Sequence, residues 1–238
     1  MSTKFLGKVD CTLRGTLPGP CTFCLAQTLP GEPWCAACFA ALPWNRSACM
    51  QCAQPQPEAV PGVCGRCLRH SPPFVRSRVG LRYEGEVAAL MQRFKFLAEP
   101  RAGTVLVTLL QCSLAGLERD RLPQAVLALP RHASRARERG FDQAEWLTTR
   151  LARQLALPCF TARRIRQTPT QRGLDRQARQ RNLRGAFVVD TRLPSRVAVV
   201  DDIMTTGASL EALAKACLAA GAEEVEAWAV ARTPLPYR

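Results

Sequence analysis

Val-Ala-Val-Val-Asp-Asp-Ile-Met-Thr-Thr-Gly-Ala-Ser, residues 197–209, is the stretch that decides how this chain reads. Four apolar residues, Val197 to Val200, end abruptly in two adjacent carboxylates, Asp201 and Asp202. A short apolar run bounded by charge suits a strand buried on both faces, as in a parallel sheet. Thr205, Thr206, Gly207, Ala208 and Ser209 then make a turn of small residues. The Ala- and Leu-rich segment behind them predicts a helix through about Ala220. Backbone N–H groups at such a helix start, its dipole and the hydroxyls of Thr205, Thr206 and Ser209 cradle an anion such as phosphate. Carboxylates just before that cradle accept hydrogen bonds from sugar hydroxyls or coordinate Mg²⁺. The segment therefore implies a site for a ribose carrying a 5′-phosphate.

Working outward, the rest of the C-terminal two-thirds alternates strands with helices. Ser77 to Tyr83 predicts a strand, and Glu84 to Leu97 a helix with Val87, Leu90, Met91 and Phe94 at helical spacing. Pro100 starts a second helix, expected to run through Leu117. Ala125 to Leu129 is a buried strand ending at Pro130-Arg131, and Gly140 to Ala156 a helix with Phe141, Ala144, Leu147, Leu151 and Leu155 on one face. Arg163 to Gly185 is polar and nearly free of large apolar residues, which suits a functional loop or flap. Ala186 to Val189 and Glu224 to Ala231 complete the strands. This order predicts an α/β parallel sheet flanked by helices, with sites at the carboxyl ends of the strands.

A chain of 238 residues accommodates one ordinary domain and a small one, here placed at 73–238 and 1–72. The longest apolar run, Ala102 to Leu117, is broken by Thr104, Thr108, Gln111 and Ser113, so no membrane insertion is expected. The N-terminus lacks the basic-then-apolar layout of a signal peptide, and a cytoplasmic location is expected. The net charge is +14, and residues 131–184 carry 14 arginines against four acids. Arginine favours bidentate phosphate contacts, so this region implies a polyanion partner: pyrophosphate, nucleic acid, or both. A solvated, arginine-rich surface is the plainer reading of part of it.

Nine of the 12 cysteines precede residue 70, and eight of them form four C-x-x-C pairs: Cys21/Cys24, Cys35/Cys38, Cys49/Cys52 and Cys64/Cys67. Two such turns complete a tetrahedral Zn(Cys)₄ shell, so the set binds one or two structural Zn²⁺ ions. Disulfides are disfavoured in a reducing compartment, and Pro/Gly-rich spacers supply little core, so metal must stabilise the fold. Pairing stays open: first with second and third with fourth, or interleaved. Cys11 and His70 flank the cluster. Cys112, Cys159 and Cys217 read as core residues.

Residues 197–209 resemble the 5-phosphoribosyl 1-pyrophosphate (PRPP) motif of the type I phosphoribosyltransferases. Pro130-Arg131 with Arg135-x-Arg137-x-Arg139-Gly140-Phe141-Asp142-Gln143 resembles a block of the ComF competence-protein family. Thr168-x-x-Gln171-x-x-Leu174, Arg179-x-x-Asn182 and Gly185-Ala186-Phe187 are similar to that family's next block. Asp142 departs from the Asn usual there. The resemblance implies a phosphoribosyltransferase-like sheet behind a zinc-ribbon domain, and a link to DNA uptake and natural transformation. It implies that PRPP or a nucleotide binds Asp201, Asp202 and Thr205–Ser209 with Mg²⁺, and that Arg131, with Arg137 or Arg139, holds departing pyrophosphate. A flap from Arg166 to Asn182 would exclude water, and His132 is the only histidine near the site. The alternative is a non-catalytic nucleotide sensor or single-stranded-DNA binder acting with DNA-uptake proteins. For such a binder Trp34, Phe39, Trp44, Phe74 and Tyr83 are the available stacking aromatics.

Overall fold

The computed structural model describes residues 18–57, 62–130, 142–166 and 183–235. The chain divides into two compact units, Met1–Pro43 and Trp44–Arg238.

In the first unit the chain reverses at Cys21–Cys24. The Cys21 amide donates to Ala26 O at 2.7 Å, and Pro20 bridges Gln27 in antiparallel fashion. Cys35 then starts a short helix, α1 (Ala36–Ala41), where its sulfur accepts the Cys38 amide at 3.4 Å. Trp34 is buried and stacks on Phe39 with ring centroids 5.0 Å apart. The Thr28 hydroxyl donates to Gly19 O and Glu32 O, tying the loop between the two turns.

The second unit opens with the same pattern again. The Cys49 amide donates to Gln54 O at 2.9 Å, Ala48 bridges Pro55, and Cys64 precedes a short helix, α2 (Gly65–Arg69). The first turn of each pair is closed by a non-glycine residue in the left-handed region, Leu25 at φ 64° and Ala53 at φ 52°.

Beyond it follow β1 (Arg76–Arg82), α3 (Gly85–Phe96), α4 (Pro100–Ser113), β2 (Ala125–Ala128), α5 (Gln143–Leu155) and β3 (Cys159–Phe160). Next come β4 (Arg163–Arg164), β5 (Phe187–Val188), β6 (Arg196–Met204), α6 (Ala208–Ala219) and β7 (Glu224–Arg232). Five strands form one sheet in the order β1-β7-β6-β2-β3, and every pair in it is parallel. The sheet flanked by helices is the class the sequence implied. Its central strands β6 and β7 are buried almost without interruption, as strands covered on both faces must be.

The two faces separate by residue parity. Val197, Val199, Val225, Ala227 and Ala229 join Leu210, Leu213, Ala214 and Cys217 of α6 in one core cluster. The alternate residues Ala198, Val200, Trp228 and Val230 are equally buried and point the other way. There α3, α4 and α5 pack: Phe94 meets Trp146 at 5.2 Å, and the Arg150 guanidinium lies 3.4 Å over the Trp146 ring. Gly103 of α4 lies against both rings, where a Cβ would come within 2.6 Å of Phe94 and 2.7 Å of Trp146. Only glycine lets these helices approach so closely.

Four expectations are adjusted. Helix α4 stops at Ser113 rather than Leu117, because the chain turns into a left-handed Gly116 at φ 86°. Strand β3 was not anticipated, since two residues are too few to show a pattern. Residues 187–188 leave the main sheet and pair antiparallel with β4. Cys217 is buried in the core, but Cys159 lies exposed on the edge strand, so its apolar neighbours in sequence did not report its environment. Among the described residues no helix is long and apolar enough to cross a membrane.

Candidate functional site

Strand β6 carries the two carboxylates to the carboxyl edge of the sheet and remains paired through Met204, opposite Arg232. Successive strand residues face opposite ways, so Asp201 and Asp202 differ in environment. Asp201 is partly exposed, and its Oδ1 accepts the Asp202 amide at 2.8 Å. Asp202 is 3% exposed. Its Oδ2 lies 2.8 Å from the ammonium of Lys95, the penultimate residue of α3, whose side chain is itself largely covered. A carboxylate this deep requires such a partner. Lys95 was not singled out from sequence, since it lies in the tail of an amphipathic helix.

Behind the carboxylates, Thr205 is exposed, Thr206 and Ser209 are half-buried, and Gly207 and Ala208 are buried. Gly207 takes φ 83° as the residue capping α6, a conformation that favours glycine. The Thr206 hydroxyl accepts the Ala208 amide at 3.4 Å, and the Glu211 amide donates to Gly207 O to begin the helical ladder. The first amides of α6 have no acceptor within the helix, as at every helix start, where anions are favoured. Of the five predicted residues, Thr205 to Gly207 thus form the turn that follows β6, separated from Asp202 by two residues, and Ala208 and Ser209 open α6.

A second residue missed from sequence supports this turn. Arg232, at the end of β7, is fully buried. Its Nη1 donates to Met204 O at 3.0 Å, to Thr233 O at 2.6 Å and to Thr205 O, and its Nε donates to Cys52 O at 2.9 Å. The signal in the sequence was a lone cation closing the apolar run Ala227–Ala231.

Asp142 acquires a role. It caps α5, its side chain accepting the Glu145 amide at 3.2 Å. Asp and Asn cap helices about equally well, which explains why the departure from Asn is tolerated. Gln143 beside it is fully buried, and neither amide atom has a hydrogen-bond partner among the described residues. Arg131, His132, Arg137, Arg139 and most of the anticipated flap, residues 167–182, lie outside the described residues, as does Cys11.

The cysteines form two groups, Cys21/Cys24/Cys35/Cys38 and Cys49/Cys52/Cys64/Cys67, with all ligand atoms of each within 4.8 Å of one another. The pairing left open by spacing is therefore first turn with second and third with fourth. The Cys24–Cys35 and Cys52–Cys64 sulfurs are each 3.7 Å apart, matching the edge of about 3.8 Å of a tetrahedron with Zn–S bonds of about 2.3 Å. Burial pushes the Cys21 thiol up, but amide hydrogen bonds from Cys24, Cys35 and Phe23 outweigh it and bring the pKa down to about 6. Hydrogen bonds from Cys52 and Cys67 drive Cys49 far below the thiol range, while hydrogen bonds with Cys49 and Cys52 push Cys67 far above it. Sulfurs crowded in this way share protons that one dication displaces. Burial lowers the Arg66 pKa, yet the nearby Cys52 and Cys67 more than offset that, so a cation complements the second group. These are two closed, structural zinc-binding sites.

Residues 12–68 match the double zinc ribbon domain family. With its two Cys₄ groups, the chain carries an N-terminal double zinc ribbon together with a parallel α/β sheet. It is 34% identical over 178 residues to Competence protein F of Haemophilus influenzae, covering 71% of this chain and 78% of that protein. It is 32% identical over 227 residues to DNA utilization protein YhgH of Salmonella typhimurium, covering 92% and 99%. The chain belongs to this family of Competence protein F and YhgH proteins. Among solved structures, orotate phosphoribosyltransferase from Aeropyrum pernix aligns with a TM-score of 0.35 and 21% identity, covering 56% of this chain and 60% of that one. Adenine phosphoribosyltransferase from Thermoanaerobacter pseudethanolicus aligns with a TM-score of 0.36 and 16% identity, covering 57% and 83%.

Proposed function

We propose that this protein binds a phosphorylated ribose, as PRPP or a nucleotide, at the carboxyl edge of its sheet, and does so in the cytoplasm in the service of DNA uptake. One observation carries the reading: a carboxylate pair at a strand end runs directly into the glycine-containing start of α6. The 5′-phosphate would rest on the first amides of α6 and the hydroxyls of Thr205, Thr206 and Ser209. Asp201 and Asp202 would accept the ribose hydroxyls. Lys95 pairs with Asp202 and fixes it, so that carboxylate is an oriented acceptor rather than an open metal ligand. Asp201 is the more exposed carboxylate and the better donor to Mg²⁺, most of whose oxygen ligands would come from the substrate. Bound Mg²⁺ would supply charge neutralisation at the pyrophosphate. Arg131, with Arg137 or Arg139, would draw the departing pyrophosphate as an acceptor attacks C1. The link to DNA is supported by the names of the relatives, a competence protein and a DNA utilization protein.

A binding role without turnover is the second reading. Phe96 and Leu97, which follow Lys95, are 64% and 71% exposed and offer an apolar face for a base. Trp34 and Phe74 are buried and cannot serve in this way. The deciding experiment incubates zinc-loaded protein with PRPP, Mg²⁺ and a panel of bases, with Asp201→Asn/Asp202→Asn as control. Pyrophosphate release abolished by that change supports the enzyme. No release, with a salt-steep affinity for single-stranded DNA lost on charge reversal of Arg135, Arg137 and Arg139, supports the binder. Neither behaviour refutes both.

A further inference from the structure

We infer that Arg232 is a positioning residue through which the Cys49–Cys67 zinc site sets the phosphate-binding turn. The inference rests on the proposed reading of residues 205–209 as a phosphate cradle.

Arg232 is fully buried, and four carbonyl oxygens meet its charge: Cys52, Met204, Thr205 and Thr233. Cys52 ends the first C-x-x-C turn of the second zinc site, so one guanidinium joins that turn to the loop after β6. The cysteine turn is held there independently of Arg232. Asn45 Nδ2 donates to Ala53 O at 2.9 Å and to Val79 O at 3.2 Å, and the Gln54 side chain exchanges two hydrogen bonds with Leu235. Ala53 belongs to the same core cluster as Met204 and Ala208.

The consequence follows from peptide geometry. Among the described residues no peptide bond is cis, so the C=O and N–H of each peptide unit there point in opposite directions. Met204 O also accepts the Thr233 amide at 3.0 Å, so the ladder already orients that peptide. Drawing Thr205 O toward the guanidinium turns the Thr206 amide away from it, as a donor toward the turn's outer side. Arg232 thereby aims the Thr206 amide in the turn that leads into α6, and its own place depends on the carbonyl of a zinc-ligating cysteine. Zinc in this site orders the Cys49–Cys52 turn and, through Arg232, the cradle.

The test uses the full-length, zinc-loaded protein with ribose 5-phosphate and pyrophosphate as probes, and hydrogen exchange read over residues 203–209. Arg232→Lys keeps the charge but not the planar fork. The expected results are an affinity for ribose 5-phosphate at least about ten-fold weaker, the loss of one charged hydrogen bond, with pyrophosphate affinity changed less than about two-fold. Exchange in the turn should quicken about ten-fold in Arg232→Lys, in Cys67→Ser and in wild type stripped of its second zinc, but not in Cys38→Ser, which controls for zinc loss as such. A general loss of structure would weaken both probes together, and that result overturns the inference. Unchanged exchange in Arg232→Lys and in zinc-stripped wild type also overturns it, whether or not Cys67→Ser folds. If wild type binds neither probe while exchange responds as stated, the coupling stands and the phosphate reading falls.

Discussion

Replacing Lys95 by Met strips the cation from a carboxylate that is almost wholly enclosed. The ammonium and Asp202 Oδ2 are 2.8 Å apart. At an effective dielectric constant of about 20, that separation gives a gross attraction of about 6 kcal/mol. Desolvation of the two ions offsets most of it, so the pair itself adds little net stability. Losing one partner is different, because the uncompensated carboxylate keeps its desolvation penalty. Lys95→Met should therefore destabilise the second unit by about 3 kcal/mol, the low end for buried pairs, since Lys95 is not fully enclosed. For a unit of this size that is a fall in melting temperature of about 6–12 °C. Asp202→Asn removes the other charge. The double variant should recover much of the loss, with a coupling energy of about 2 kcal/mol in the cycle. Thermal melts of zinc-saturated protein measure all four corners. Additivity within about 0.5 kcal/mol would show that Lys95 and Asp202 do not support each other, and would refute the assigned role of Lys95.

Three further outcomes are expected. Gly207→Ala meets only ordinary contacts, 3.6 Å to Met204 and 3.7 Å to Glu211, so its cost is backbone strain of about 1–2 kcal/mol, measurable by urea unfolding. Gln143→Leu removes a buried amide that has no hydrogen-bond partner among the described residues, so stability should hold or rise by about 1 kcal/mol, and a loss above that contradicts the assignment. A hydrogen bond from Arg93 holds the Glu99 carboxyl below its ordinary value of 4.5. Its contribution is thus complete above that pH and is lost as pH falls through the lowered value. Glu99→Gln should lower stability at pH 7 by less than about 1 kcal/mol, and melts at decreasing pH should show the gap to wild type closing.

The turn from Val197 to Ser209 could be read from sequence because strand, charge pair and helix start are all local, each set by neighbours in the chain. The cysteines were legible for the same reason, since one C-x-x-C turn reports its chemistry by itself. Their pairing was not legible, because near-equal spacers permit either closure, and tertiary structure chose between them. Lys95 and Arg232 act across the fold, reaching partners 107 and 180 positions away, at Asp202 and Cys52. Such contacts leave no local pattern, although a cation at the end of the buried run Ala227–Val230 was a hint. Cys159 misled because its neighbours are apolar while its strand lies at the sheet edge.

The most direct measurement is calorimetric titration of zinc-loaded protein with PRPP in the presence and absence of Mg²⁺. The account predicts saturable heat that depends on the metal and is lost in Asp201→Asn/Asp202→Asn. Absence of heat from the folded wild type, or equal heat from the double variant, would contradict a phosphoribosyl site at the end of β6.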